Sequence, residues 1–303
     1  MKSFIRKILF FSLIVSAGYL IIYFTANRYA KSDNDFMAAI ADKHQRIENI
    51  NEPKLVFAGG SNLPFGIDSK MIQDSLNIPV VNLGLHAGLG LDFMLNELRS
   101  CIKNGDIIIL STEYFLGDGD YNLKKYTGKI YPEANHFYEK NIIKEMEANI
   151  DNTRNHLKSL IKQKHKEQTE TAYSRESFNE YGDIEMSLTE IPQQNLKNDH
   201  ILEYRYWEGI SKLNIFYRDA ESKGIQVFFV YPAYPESKYK KNLTAIRKLH
   251  QNMKQHLLFP ILGNPEDFIF ADSLFFDTTY HLITKGREKR TNKIINLLIQ
   301  KEV

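Results

Sequence analysis

The chain of 303 residues has a single cysteine, Cys101, which excludes an internal disulfide, a paired-cysteine zinc site and thioredoxin-like chemistry. It also lacks an excess of either charge. Against 37 Asp and Glu stand 39 Lys and Arg, so no global field points to nucleic acid and any basic surface is local. Nine prolines and 16 glycines are too few for a collagen-like or low-complexity chain, and no internal repeat is visible. The nine histidines are scattered, with none at metal-ligand spacing from another histidine or a cysteine. No Gly-Lys-Ser/Thr follows the glycine-bearing turns, so there is no P-loop. Neither a metal nor a cofactor is expected. What remains is an ordinary globular composition, 43% hydrophobic and 25% charged.

One long apolar run is present. Ile8 to Phe24 holds 17 residues without a charge, at the short edge of a bilayer-spanning helix, for which about 20 are typical. Lys2, Arg6 and Lys7 precede it, which keeps the amino terminus in the cytoplasm and sends the remainder outward. A cleaved signal peptide and a buried core helix are the competing readings. The exit from Phe24 to Ala30 is a poor cleavage site, and no cysteine stands there to carry lipid. The expected layout is a membrane anchor over 1–29, a polar lead-in helix or stalk over 30–52, and an extracytoplasmic domain over 53–303.

Five short apolar runs follow: Lys54–Ala58, Pro79–Asn82, Asp106–Thr112, Gly224–Tyr231 and Asp267–Ala271. Each is apolar on successive residues rather than alternating, as in strands buried on both faces. Helix-like sequence separates them, with candidate crossovers at Ser69–Leu76, Leu91–Asn104, His200–Lys223 and Lys240–Leu257. The pattern predicts an α/β fold with a parallel sheet covered by helices. More than 110 residues separate the third run from the fourth, so a helical insertion is expected at about 117–198. Within it Ile142, Ile143, Met146, Ile150, Leu157, Leu160 and Ile161 recur at helical spacing, and Lys158, Lys162, Lys164, His165 and Lys166 form a basic end. Two readings stay open: a surface helix pair, or a lid or docking element that shapes a site.

In an open parallel sheet, sites form at the carboxyl ends of strands. The first run ends in Gly59-Gly60-Ser61-Asn62, where a serine can face the crevice with its hydroxyl and its N–H. Such a serine is also commonly a helix cap. The second run ends in Asn82-Leu83-Gly84-Leu85-His86-Ala87-Gly88, whose glycines can bring a backbone N–H into the same crevice. Near the carboxyl end, Asp277 and His281 precede a helix expected from about Thr284, an arrangement suited to a general base and its orienting acid.

Taken together, in this order and register, these segments resemble the SGNH (GDSL-like) hydrolase superfamily, particularly its membrane-anchored branch that modifies cell-envelope polymers. The resemblance runs from about Lys54 to the end, apart from the insertion. It implies a flavodoxin-like three-layer fold with Ser61 as nucleophile, His281 as base and Asp277 as its acid. It also implies an oxyanion hole from the Ser61 and Gly84 N–H groups. Asn62, His86 and Glu113 are candidates for substrate contact. Two features depart from the family pattern. Where an asparagine donor usually follows the third strand, this chain reads Leu110-Ser111-Thr112-Glu113-Tyr114. Asp277 also lies four residues before His281 rather than three, so either a one-residue bulge restores the pair or His281 acts without it.

Two functions follow as expectations. The first is a membrane-anchored serine esterase or O-acyltransferase acting on an envelope glycan, supplied in the transfer case by a membrane-bound acyl donor protein. The second is a catalytically weakened binding or scaffolding module in a polysaccharide modification or export assembly. Its 17 tyrosines and Trp207 could stack on sugars, although Trp207 can equally pack against the sheet.

Overall fold

The computed structural model describes residues 2–29, 34–161, 172–192, 196 and 201–303. The chain divides into two compact units, one formed by Met1–Asp35 with Glu139–Thr169 and the other by Phe36–Tyr138 with Glu170–Val303. In the first unit, helix α1 (Lys2–Tyr29) contains the apolar run and is long and apolar enough to cross a membrane. The helix Ile142–Ile161 belongs to the same unit. Around Met146 and Ile150 it packs near Tyr19, Leu20 and Tyr23, while Ile142, Ile143, Met146 and Ile150 remain exposed.

The second unit is α/β. It begins with α2 (Ala39–Asn49), which buries Ile40, Lys43, His44 and Ile47. Of the lead-in helix or stalk expected over 30–52, Ala39–Asn49 is helical and packs within the α/β unit, with Arg46 Nε donating to Val80 O at 3.0 Å. Next come β1 (Leu55–Gly59), α3 (Ser69–Leu76), β2 (Val80–Asn82), α4 (Gly90–Cys101), β3 (Ile107–Ser111) and α5 (Tyr121–Ile130). The Ile142–Ile161 helix of the first unit is α6. The second unit resumes with α7 (Gly209–Ser222), β4 (Gln226–Val230), β5 (Tyr234–Pro235), α8 (Glu236–His256), β6 (Ile261–Leu262), β7 (Ile269–Phe270) and α9 (Thr284–Ile299).

Among the described residues the main sheet has five parallel strands in the order β2-β1-β3-β4-β6. Leu55, Val56 and Phe57 are wholly buried, and burial of such side chains contributes about 1.5–3 kcal/mol each. This explains the continuous apolar reading of the strand. Four of the five expected runs enter this sheet. The fifth corrects the expectation: Ile269–Phe270 pairs with Tyr234–Pro235 in a separate two-stranded sheet, and Ile261–Leu262 takes the edge beside β4. Two residues are too few to carry a burial pattern that sequence alone reveals.

The insertion splits into parts. Residues 121–138 pack in a cluster with Phe93, Leu89 and Ile40. Helix α6 lies in the first unit, and the basic run from Lys162 to Lys166 falls outside the described residues. Residues 172–191 are built into the α/β unit. Ile184 N–H donates to Pro64 O at 2.9 Å, and the buried Asp183 carboxylate accepts from Ser69 N–H at 2.6 Å and from Asn82 Nδ2 at 2.7 Å. A loop carrying such bonds is part of the scaffold rather than surface decoration.

Candidate active site

The chain leaves β1 for β2 on one side and returns to β3 on the other, so a crevice opens at the carboxyl ends of β1 and β3. The registry ends with Gly59 opposite Ser111. Two residues further on stand Ser61 on one strand exit and Glu113 on the other. Both glycines before Ser61 are set by close approach. A Cβ on Gly59 would lie 1.8 Å from Ser111 O, and one on Gly60 would lie 2.3 Å from a Glu113 carboxyl oxygen.

Ser61, His281 and Asp277, the three expected catalytic residues, are brought together. Ser61 Oγ is 2.9 Å from His281 Nε2, and His281 Nδ1 is 2.8 Å from Asp277 Oδ1. His281 and Asp277 are buried, whereas Ser61 is half-buried at the cavity wall. The four-residue spacing is absorbed by a closed loop. Phe276 N–H donates to His281 O at 2.8 Å, and Phe275 bridges Leu282, so Asp277 turns back onto the ring. Leu282 N–H donates to Phe65 O at 3.1 Å, which ties this loop to the turn that carries Ser61. Phe65 also stacks on the imidazole, with centroids 4.0 Å apart and planes at 9°.

Tyr173, from the insertion, was not among the expected site residues. Its hydroxyl donates to Asp277 Oδ2 and lies 3.2 Å from His281 Nδ1. Burial, and then the bond to Asp277, push its phenol pKa upward, so it stays a donor. Phe36 and Phe65 pack against its ring. No local pattern marks Tyr173, because its partners lie more than a hundred residues away in sequence. Tyr173→Phe keeps the ring and removes one hydrogen bond to a carboxylate, worth about 1.5 kcal/mol. The expected result in steady-state ester hydrolysis is a kcat about tenfold lower with KM unchanged; an unchanged kcat would deny the hydroxyl any positioning role.

Two expected roles are corrected. Gly84 N–H donates to Asn82 Oδ1 at 2.9 Å, which commits it to the turn rather than leaving it for an oxyanion. Asn62 is fully buried and does not line the cavity. Its Nδ2 donates to Ser111 O at 2.9 Å, and its Oδ1 accepts from Ser111 Oγ at 3.2 Å and Arg290 Nη2 at 3.1 Å. Arg290, on α9, also donates to Asn62 O at 2.6 Å and Ser111 Oγ at 2.9 Å, and burial lowers its pKa to about 9. This buried network clamps the ends of β1 and β3 from beneath. Among the described residues no acceptor pairs with the Ser61 N–H.

A cavity of about 530 Å³ opens over Ser61 and His281, with Tyr114, Tyr234, Tyr280 and Phe36 among its walls. His86 and Glu113, the other two candidates for substrate contact, also line it. Gly88 N–H donates to His86 Nδ1 at 2.9 Å, which leaves Nε2 as the protonated nitrogen of the neutral ring. Desolvation first, and the charge of His281 second, lower the His86 pKa. Trp207 takes the packing role: it is buried and donates from Nε1 to Leu116 O at 2.8 Å. Among the described residues no group of three or more His, Cys, Asp or Glu is placed to hold a metal ion. Chemically, the arrangement lets His281 take the Ser61 proton through Nε2 while Asp277 holds Nδ1–H and supports the imidazolium. No known family model matches this sequence, and no curated protein matches it either.

Proposed function

We propose that this protein is a membrane-anchored serine esterase or O-acyltransferase that acts on an envelope polysaccharide through an acyl-serine intermediate. The observation that carries the reading is the continuous chain Ser61 Oγ, His281 Nε2, His281 Nδ1, Asp277 Oδ1 at 2.9 and 2.8 Å, opening into an aromatic-walled cavity. Ser61 Oγ attacks the ester carbonyl carbon as its proton passes to His281 Nε2. The tetrahedral oxyanion forms beside the Ser61 N–H. Collapse expels the alcohol, which takes the proton from His281, and leaves acyl-Ser61. Water or a sugar hydroxyl then repeats the sequence in reverse, so hydrolysis and transfer use the same residues.

The resemblance to the SGNH superfamily supports this reading, as does the strand order β2-β1-β3-β4-β6, which matches a flavodoxin-like arrangement. Helix α3 contacts α9, whereas α4 contacts α2 and α7, in keeping with helices on both faces of a three-layer fold. The uncharged run Ile8–Phe24 of α1, with Lys2, Arg6 and Lys7 in the helix's first turns before it, supports an uncleaved single-pass anchor with the catalytic unit outside. The exposed Ile142, Ile143, Met146 and Ile150 of α6, in the same unit as α1, suit contact with lipid.

One observation favours the binding-module reading: Glu113 stands where the family's asparagine donor is expected, and an ionised carboxylate there would oppose an oxyanion. Fluorophosphonate labelling of the detergent-solubilised full chain separates the two. The expected result is a covalent adduct on the intact protein that is lost in Ser61→Ala and His281→Ala. No adduct on folded wild-type protein, or one that persists in Ser61→Ala, would reject the serine mechanism.

A further inference from the structure

Helix α6 packs the wrong way round for a helix in water. At about 100° per residue, Ile142, Met146, Ile150 and Ile143 fall on one stripe. Their exposures are 81, 62, 55 and 69%. The least exposed positions of the same helix are small or polar. Ala148 and Thr153 are buried, and Glu145, Asn149 and Asn152 are half-buried, on a side centred about a third of a turn from the stripe. A surface helix in water does the reverse and turns its apolar stripe to the core. We propose that α6 is a second membrane element, an amphipathic helix whose Ile142, Ile143, Met146 and Ile150 are seated in the outer lipid interface beside α1. The inference rests on the anchor reading of α1 and is independent of the serine chemistry.

The neighbour of the stripe points to its occupant. Helices α1 and α6 pack together within one unit, where Tyr19, Leu20 and Tyr23 line a groove with Met146, Asn149 and Ile150. Those α1 residues stand in the last turns of the uncharged run Ile8–Phe24, and none of the residues from Ile8 to Tyr23 is buried. The Tyr19 and Tyr23 rings stack with centroids 6.3 Å apart, and such amphipathic rings favour the level of the lipid headgroups. A bilayer that takes up α1 therefore reaches Met146 and Ile150 at the level of these tyrosines. The 17 residues of the run span about 26 Å against a hydrocarbon core of about 30 Å. The stripe on α6 adds apolar surface at the outer end of this short span.

The packing itself is that of helices in lipid, where small and polar residues meet the partner helix and large apolar ones turn outward. Charge contributes little. Between Ile142 and Ile161, Lys144, Arg154 and Lys158 balance Glu145, Glu147 and Asp151, so apolar burial rather than attraction to anionic headgroups holds the helix. The chain passes between this unit and the α/β unit at 35–36, 138–139 and 169–170. Seating α6 thus ties the catalytic unit to the membrane by three connections instead of one.

Contact quenching by brominated phosphatidylcholine tests the assignment on the full chain reconstituted in vesicles. Leu13→Trp, Ile143→Trp, Ile150→Trp and Asp151→Trp, made singly, each add one emitter to the buried Trp207, which sets the background. Circular dichroism checks that each variant is folded. The expected result is that the emission added at 143 and 150 falls about twofold or more, most strongly with bromines near the headgroup, as for an apolar face about 5–10 Å into the interface. Emission added at 151 stays unquenched, and mixing phosphatidylglycerol into the vesicles changes nothing. Quenching at 13 with none at 143 and 150, or equal quenching at 143 and 151, would overturn the proposal and leave the anchor standing. Cross-linked dimers in the same vesicles would then assign the stripe to a second copy of the chain. Quenching at 143 and 150 that requires phosphatidylglycerol would overturn the assignment to apolar burial. No quenching at 13 removes the anchor reading and this inference with it.

Discussion

Exchange of His281 for alanine is expected to lower kcat/KM for a para-nitrophenyl ester by about 10⁴–10⁶-fold, as large as the loss of Ser61 itself. In the proposed mechanism His281 Nε2, 2.9 Å from Ser61 Oγ, is the base. Without it the hydroxyl keeps its proton at neutral pH, and alcohol expulsion loses its acid. Asp277→Asn is expected to cost about 10³–10⁴-fold, less than the loss of the ring, because geometry survives while the tautomer does not. An amide NH₂ facing Nδ1 favours the ring form with its proton on Nε2, which then cannot accept from Ser61. The reading depends on the Nδ1–Oδ1 contact of 2.8 Å and on the Tyr173 hydroxyl at the other carboxylate oxygen. Steady-state kinetics on folded variants checks both. An Asp277→Asn enzyme within tenfold of wild type would mean that the carboxylate does not set the tautomer.

The second large effect is on stability. Gly59→Ala places a methyl 1.8 Å from Ser111 O and 3.0 Å from Leu63 Cδ1. The first of these is backbone in the central strand pair, so it cannot swing aside, and β1 must separate from β3. The expected cost is about 3 kcal/mol or more, in the upper range for overpacking. For a unit of this size that is a fall in Tm of about 6–12 °C. Gly117 is the control: a Cβ there meets nothing within 4 Å, so Gly117→Ala is expected to change stability by about 0.5 kcal/mol at most. Thermal unfolding followed by near-ultraviolet circular dichroism of the full chain reads both. A Gly59→Ala protein that melts within about 2 °C of wild type would contradict the close packing of β1 on β3. The same variant tests the site, because Ser61 and Glu113 hang from the two strand ends that the methyl drives apart.

Much of this arrangement was legible before any coordinates. The apolar runs of β1 to β4 announce strands buried on both faces, because burial on both sides leaves no polar alternation. Helix α3 is bounded by an Asp68 cap that accepts from Met71 N–H at 2.9 Å and by Asn77 at φ 53°, and its expected span matches the observed one. Ser61, Asp277 and His281 could be singled out because each sits where a strand or loop meets a helix, and turns carry local signatures. The uncharged run of α1 is a matter of composition alone.

The tertiary structure decided everything that depends on which distant segments touch. It placed Ile261–Leu262 rather than Ile269–Phe270 at the edge of the main sheet, since strands of two residues have no periodicity to read. It moved the lead-in helix α2 into the domain, because a polar-looking helix with only a narrow apolar stripe reads as a stalk until its neighbours are known. It brought Tyr173 out of the insertion onto Asp277, and committed the Asn62 side chain to Ser111 and Arg290. It also buried Glu113 against Gly60 with one oxygen unpartnered. The division has a physical cause. Propensity, burial pattern and turn chemistry act over a few residues and are written locally, whereas most buried hydrogen-bond partners and desolvation come from segments distant in sequence, which only the folded chain assembles.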